Sequence, residues 1–173
     1  PKRYKSYKGE IGRIAENKLN REFTVEQPNQ KWVTDVTEFK VNNQKVYLSP
    51  IIDLFNREVI SYEVRTSVTL PLVTDMLKAA TSKLLPHEKP LIHSDQGWQY
   101  QNKQYQNHLK QNGLLQSMSR KGNCLDNAVA ENFFGILKTE MYHNKTFKDA
   151  NELIENIKEY IDYYNNERIK LKL

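Results

Sequence analysis

The hydropathy pattern changes period once, near residue 69, and that change restricts the chain to a sheet with helices packed on it. Before it come three β-rich runs: KWVTDVTEFKV from Lys31, KVYLSPIIDLF from Lys45 and REVISYEVRT from Arg57. Asn42-Asn43 and Asn56 supply short turns, so these runs predict an antiparallel meander. After it, Leu72, Val73, Met76, Leu77, Ala80 and Leu84 form one helical face over 69–85. PLIHSD at 90–95 predicts a short strand, 102–113 a helix closed by Gly113, and LLQSMS at 114–119 another strand. A polar loop, SRKGNCL, leads to a long helix from Asp126, its N-cap, to about Tyr142. A last helix over about 150–166 begins with Asp149 and Glu152 as a capping-box variant. The order β-β-β-α-β-α-β-α-α predicts an α/β fold, three antiparallel strands then two parallel ones, flanked by helices. Residues 1–30 show no sustained period and read as a basic N-terminal arm or linker, leaving 31–173 as the core.

Carboxylates inside apolar strands are the anomaly in this pattern. Asp35 lies within the first run and Asp95 ends PLIHS, while Glu131 falls one turn into the long helix. A buried ionised carboxylate is costly without a partner, so such residues coordinate metal, pair with a cation or sit at a functional rim. Neighbouring central strands can bring two of them together, and a helix packed across the strand ends can bring the third. Oxygen ligands of this type suit Mg²⁺ or Mn²⁺. Each residue also has a plain structural reading: a salt bridge for Asp35, a turn before Gln96-Gly97 for Asp95, a solvated helix face for Glu131.

The words around these residues narrow the choice. WVTDVTEF, IIDLFNREVI, HSDQGWQY, SMSRKGNCLDNAVAENFFGILKTE and YIDYYNNERIKLKL occur in that order, with 35 residues between Asp95 and Glu131. In these words the chain resembles the insertion-sequence DDE transposases with a retroviral-integrase-like catalytic core, over roughly residues 20–173. The resemblance implies a ribonuclease-H-like mixed five-stranded sheet. It implies that Asp35, Asp95 and Glu131 are catalytic metal ligands for Mg²⁺, with Mn²⁺ able to substitute and two ions in the active complex. The activity implied is cleavage at transposon ends followed by 3′-hydroxyl strand transfer into target DNA, by a homo-oligomer on DNA. It also implies that Lys138 contacts DNA. Helix geometry agrees, since seven residues fall about 20° short of two turns and put Lys138 on the face of Glu131. Asn127, a further expected DNA contact, and Gly135 share that stripe, where a DNA backbone could approach closely; Ala130, Phe133, Phe134, Leu137 and Met141 make the opposite, apolar one.

Further DNA contacts are expected at Arg120, Lys121 and Asn123 in the loop before the helix, and at Trp98, which could stack on a base or anchor its own loop. The resemblance implies that Asp53 is a structural position, and His93 reads as a packed or hydrogen-bonding histidine. The net charge is +5, and residues 1–21 alone, with seven Lys or Arg against two acids, account for all of it. A basic arm on a neutral body suits a polyanion. A single cysteine, Cys124, excludes an internal disulfide and suits a reducing bacterial cytoplasm. No apolar run is long enough to span a membrane. No helix-turn-helix or Zn-binding cluster is evident before residue 30, so a catalytic fragment that does not choose its own DNA is expected. Tyrosine recombinase chemistry lacks the required Arg and His activators. Ribonuclease H is the rival on the same fold, and a DNA-binding module without catalysis is the rival outside enzymology.

Overall fold

The computed structural model describes residues 12–19, 24–120 and 127–169. The meander forms as expected, with one difference. The first run divides into β1 (Lys31–Thr34) and β2 (Thr37–Val41), so the sheet has six strands among the described residues where five were expected. The break is at Asp35, whose Oδ1 accepts the N–H of Val36 at 2.8 Å and so diverts that donor from the ladder. Both halves pair antiparallel with the same side of β3 (Gln44–Asp53), and β4 (Val59–Arg65) pairs with β3 on the other. Asn42 takes the left-handed conformation in the first turn, with φ 53°; in the second that role falls to Arg57, with φ 65°, while Asn56 Oδ1 accepts the N–H of Glu58.

Beyond β1 the sheet becomes parallel. β5 (Leu91–Ser94) runs beside β1, and β6 (Leu115–Met118) beside β5. Because side chains alternate across a strand, Trp32 and Val33, and likewise Ile51 and Ile52, enter opposite cores. Helix α1 (Leu70–Thr81), the single turn α2 (Trp98–Gln101) and α3 (Lys103–Gln111) cover the face of Trp32 and Ile92. Helices α4 (Ala128–Met141) and α5 (Ala150–Tyr163) cover the face of Val33, Phe39 and Leu48. No helix of the described residues is long and apolar enough to cross a membrane. α2 was not foreseen, because four residues are too few to show a period. In α5 the expected cap is present: Asp149 Oδ1 accepts the N–H of Glu152, and Glu152 accepts that of Lys148. Asp126 lies outside the described residues.

A π-helical turn, Tyr164–Arg168, continues α5 and closes the edge of β4. The Asn165 side chain accepts the N–H of Val59 at 2.9 Å and donates to its carbonyl at 2.9 Å, standing in for a further strand. The opposite edge is served by residues 12–19 of the segment read as an arm. Met118 donates to the carbonyl of Glu16, the N–H groups of Lys18 and Leu19 both reach Ser117 Oγ, and Leu19 is buried in the core of α4 and α5. If that strap is integral to the fold, Leu19→Ala should cost about 2–5 kcal/mol in urea denaturation, as for other core leucines. A loss below about 0.5 kcal/mol would mean the strap is dispensable.

Candidate active site

The register between β1 and β5 sets the site. Lys31 pairs with Leu91, Trp32 with Ile92 and Val33 with His93. Carried two residues further, the same offset puts Asp35 opposite Asp95, just past the ends of both strands and on one face. Each side chain is turned by its own backbone. Asp35 Oδ1 holds Val36 N–H at 2.8 Å, and Asp95 Oδ1 holds Gly97 N–H at 2.7 Å. Gly97 leaves room for this turn, since a Cβ would come within 2.8 Å of Gln99 Oε1 and 3.0 Å of Asp95 Oδ1 and those side chains would have to shift. Two glutamines brace the turn: Gln96 donates to Ser119 O at 3.2 Å and Gln101 to Gln96 O at 2.6 Å.

No Lys or Arg among the described residues forms an ion pair with either aspartate. Burial and the charge of Asp95 push the Asp35 carboxyl up to about 7; the Val36 N–H opposes this and the charge of Glu131 adds to it. Burial raises Asp95 too, against the Gly97 N–H. Glu131 stands in the first turn of α4 with its side chain exposed. Its charge is felt at Asp35, yet among the described residues no three His, Cys, Asp or Glu side chains lie close enough together to hold a metal ion. The structure therefore brings two of the three expected carboxylates together and leaves the third at the rim.

The other expected residues divide. Lys138 is half-buried: its Nζ donates to Glu38 O at 2.9 Å and lies 4.9 Å from the centroid of the Phe39 ring. Burial lowers its pKa, with the charge of Glu38 working the other way. Asn127 is buried, with no side-chain bond to cap α4 and no partner for its Oδ1 among the described residues. Gly135 is open, with nothing within 4 Å of a Cβ placed there. Trp98 is partly buried at the start of α2 and Arg120 is exposed. Lys121, Asn123 and Cys124 lie outside the described residues. The apolar stripe of α4 is buried as expected. His93 is fully buried, its Nδ1 2.8 Å from Ser117 Oγ. Asp53 sits at the far end of the sheet, opposite Trp32, where it accepts the N–H groups of Asn29 and Phe55. No role for Gln96, Gly97 or Gln101 was read from HSDQGWQYQ, because the sequence displays a turn there but not which groups its side chains reach.

Two family models described as integrase core domain match the chain, over residues 25–124 and 131–173. A putative transposase, InsK, for insertion sequence element IS150 of Escherichia coli is 58% identical over 99% of the chain, which spans 61% of that relative. An uncharacterized transposase-like protein of Haemophilus influenzae is 55% identical over 99% of the chain and 79% of its own length. Among solved structures, the HTLV-2 integrase catalytic core domain in complex with magnesium superposes with a TM-score of 0.63 at 24% identity, covering 81% of this chain and 88% of that one. The fold is accordingly the ribonuclease-H-like one of retroviral integrase cores.

The raised Asp35 has a consequence for stability. An unfolded aspartate titrates near 4. A carboxyl held near 7 in the folded state takes up a proton on folding between those values, so stability falls as pH rises from about 4 to about 7. Asparagine cannot titrate. Without metal, Asp35→Asn should melt with wild type at pH 4 and a few degrees above it at pH 8, read by scanning calorimetry. A difference in Tm that does not grow with pH is the opposing result.

Proposed function

The chain belongs to the integrase core domain family, and from that premise we propose that it is the catalytic domain of an insertion-sequence transposase, a polynucleotidyl transferase acting on DNA. The reaction is hydrolysis of a phosphodiester at the transposon end, followed by attack of the freed 3′-hydroxyl on target DNA. The observation that carries this reading is the pair Asp35 and Asp95, abreast at the ends of adjacent parallel strands without a compensating cation among the described residues.

The donors fit a hard divalent cation. Carboxylate oxygens that repel one another and are partly withdrawn from water are what Mg²⁺ or Mn²⁺ would neutralise. Asp35 and Asp95 would hold it, with Glu131 as the third ligand. When bound, two such ions supply charge compensation at the attacking and leaving oxygens of an in-line displacement. The protein's own contribution is placement. The Val36 and Gly97 N–H groups fix the rotation of the two aspartates, and the Gln96 and Gln101 bridges fix the loop that carries one of them. No covalent protein–DNA step is needed, so none of the tyrosines has to act as nucleophile.

Arg120, Lys121, Asn123, Asn127, Lys138 and Trp98 are the DNA contacts this reading assigns around the helix and loops that frame the pair. Arg120 and Trp98 have exposed surface for that role; Lys138 would have to leave Glu38 O. Joining two ends to one target implies more than one copy on the DNA, and the site of action is the bacterial cytoplasm.

The test uses labelled, pre-cut transposon ends with Mg²⁺ or Mn²⁺. Asp95→Asn should lower joining by more than about 100-fold, a larger loss than outer-ring substitutions around metals cause, while DNA affinity changes little. A variant that still joins ends removes the metal assignment. A chain that cuts an RNA–DNA hybrid but never joins would be a ribonuclease H.

A further inference from the structure

The two aspartates are not equally supported. β1, which leads to Asp35, lies between β3 and β5; β5, which leads to Asp95, has beyond it only the four-residue edge strand β6. The strap over 12–19 lies along that edge, and its bonds converge on Asp95 from both directions of the chain.

One arm comes before Asp95. Ser117 is fully buried, and its Oγ accepts the N–H groups of Lys18 at 2.8 Å and Leu19 at 2.9 Å. A hydroxyl has two acceptor positions and one proton, so with both acceptors taken the proton goes to His93 Nδ1, 2.8 Å away and two residues before Asp95. The other arm comes after Asp95. Arg13 N–H donates to Gln101 O at 3.2 Å, and Gln106 Nε2 donates to Arg13 O at 2.7 Å. Gln101 Nε2 in turn donates to Gln96 O at 2.6 Å, on the residue that follows Asp95. Between the arms, Met118 N–H reaches Glu16 O at 3.2 Å, and the next N–H in the chain, that of Ser119, reaches Ser94 O at 2.8 Å.

Covering apolar surface explains Leu19 and Ala15, which pack against the two cores. It does not explain the anchorage of Arg13, whose side chain is exposed and whose main-chain groups are bound to Gln101 and Gln106. On the strap's side, every bond named here uses a main-chain group, so what the strap supplies is position. Gly12 lets it approach: a Cβ there would stand 2.4 Å from Gln101 Cβ and 2.9 Å from Gln101 O.

We propose that residues 12–19 are a positioning element for Asp95: through Ser117 and Gln101 the docked strap holds the strand end and the turn on either side of that carboxylate, and strand transfer requires it in place. The proposal rests on the reading of Asp95 as a catalytic residue. Asp35 is fixed without the strap, by the strands on both sides of β1 and by its bond to Val36 N–H.

Gly12→Ala pushes the strap from Gln101, and Ser117→Ala removes the acceptor of two strap N–H groups. Gly12 is only partly buried, so its variant keeps the test open should Ser117→Ala fail to fold. Amide hydrogen exchange of the full chain is followed by NMR without metal at Gly97 and Val36, the N–H groups held by the two aspartates. Exchange at Gly97 should rise several-fold while that at Val36 keeps its wild-type rate. In strand transfer with Mn²⁺, turnover at saturating DNA ends should fall about 10-fold or more with the KM for DNA unchanged, as for other outer supports of metal ligands. Equal acceleration at Gly97 and Val36 would make the strap a general clamp on stability and overturn the proposal; so would wild-type rates in either assay. Joining by Asp95→Asn would instead remove the catalytic reading of the site, a result separate from the exchange rates.

Discussion

The in-register pairing of β1 with β5 is the constraint around which this molecule is arranged. Parallel strands run ~4.8 Å apart, and the 31↔91 offset leaves Asp35 and Asp95 side by side where both strands end. At that spacing and an effective dielectric near 20, two full charges would repel by roughly 3 kcal/mol, before solvent screening reduces it. The fold does not relieve this with a lysine or arginine among its described residues. It holds Asp35 near 7 and lets the pair share less than two charges at neutral pH. Stability is given up at this pair, and the loss has to be made good elsewhere in the same sheet.

It is made good on both faces and at both edges. β3 is ten residues long and pairs with β1, β2 and β4, so the short strand that carries Asp35 is fixed by a longer one. Trp32 and Ile51 seal one face with α1, and Val33 and Ile52 seal the other with α4 and α5. The edges are closed without further strands. Asn165 takes both backbone groups of Val59, and the strap over 12–19 takes Ser117 and Met118. Ser117 also meets His93, two residues before Asp95, so the strap supports the strand on which the second aspartate is carried. Gly12 makes this possible at the strap's start, because a Cβ there would overlap Gln101.

The sequence disclosed what periodicity and spacing encode. The meander, the helical face of 69–85 and the buried stripe of α4 could all be read from residue order, because each depends on neighbours within a few positions or on a simple alternation. The pairing of Asp35 with Asp95 was legible only as a possibility, since register is a property of two segments 60 residues apart. The split of the first strand was not legible. It follows from one side-chain bond, Asp35 to Val36, that competes with the ladder. The closing word YIDYYNNERIKLKL stood out as a pattern without a mechanism; Tyr164 donating to Arg57 O and Asn165 bracketing Val59 supply one.

Helix α4 shows why the third carboxylate stands apart from the other two. Its far end is heavily tied to the sheet: Lys138 to Glu38 O and the Phe39 ring, and Tyr142 Oη both accepting from Lys40 N–H and donating to Lys40 O. Its near end has no side-chain cap, since Asn127 makes no bond there, and Glu131 projects outward. Side-chain hydrogen bonds along the helix are therefore uneven among the described residues, present at Lys138 and Tyr142 and absent at its N-cap. The same unevenness limits Lys138. One ammonium cannot satisfy the Glu38 carbonyl and a DNA phosphate in the same geometry, and its burial already lowers its pKa. Were Lys138 to turn to another partner, the two Tyr142 bonds to Lys40 and the buried stripe from Ala130 to Met141 would still hold α4 to the sheet.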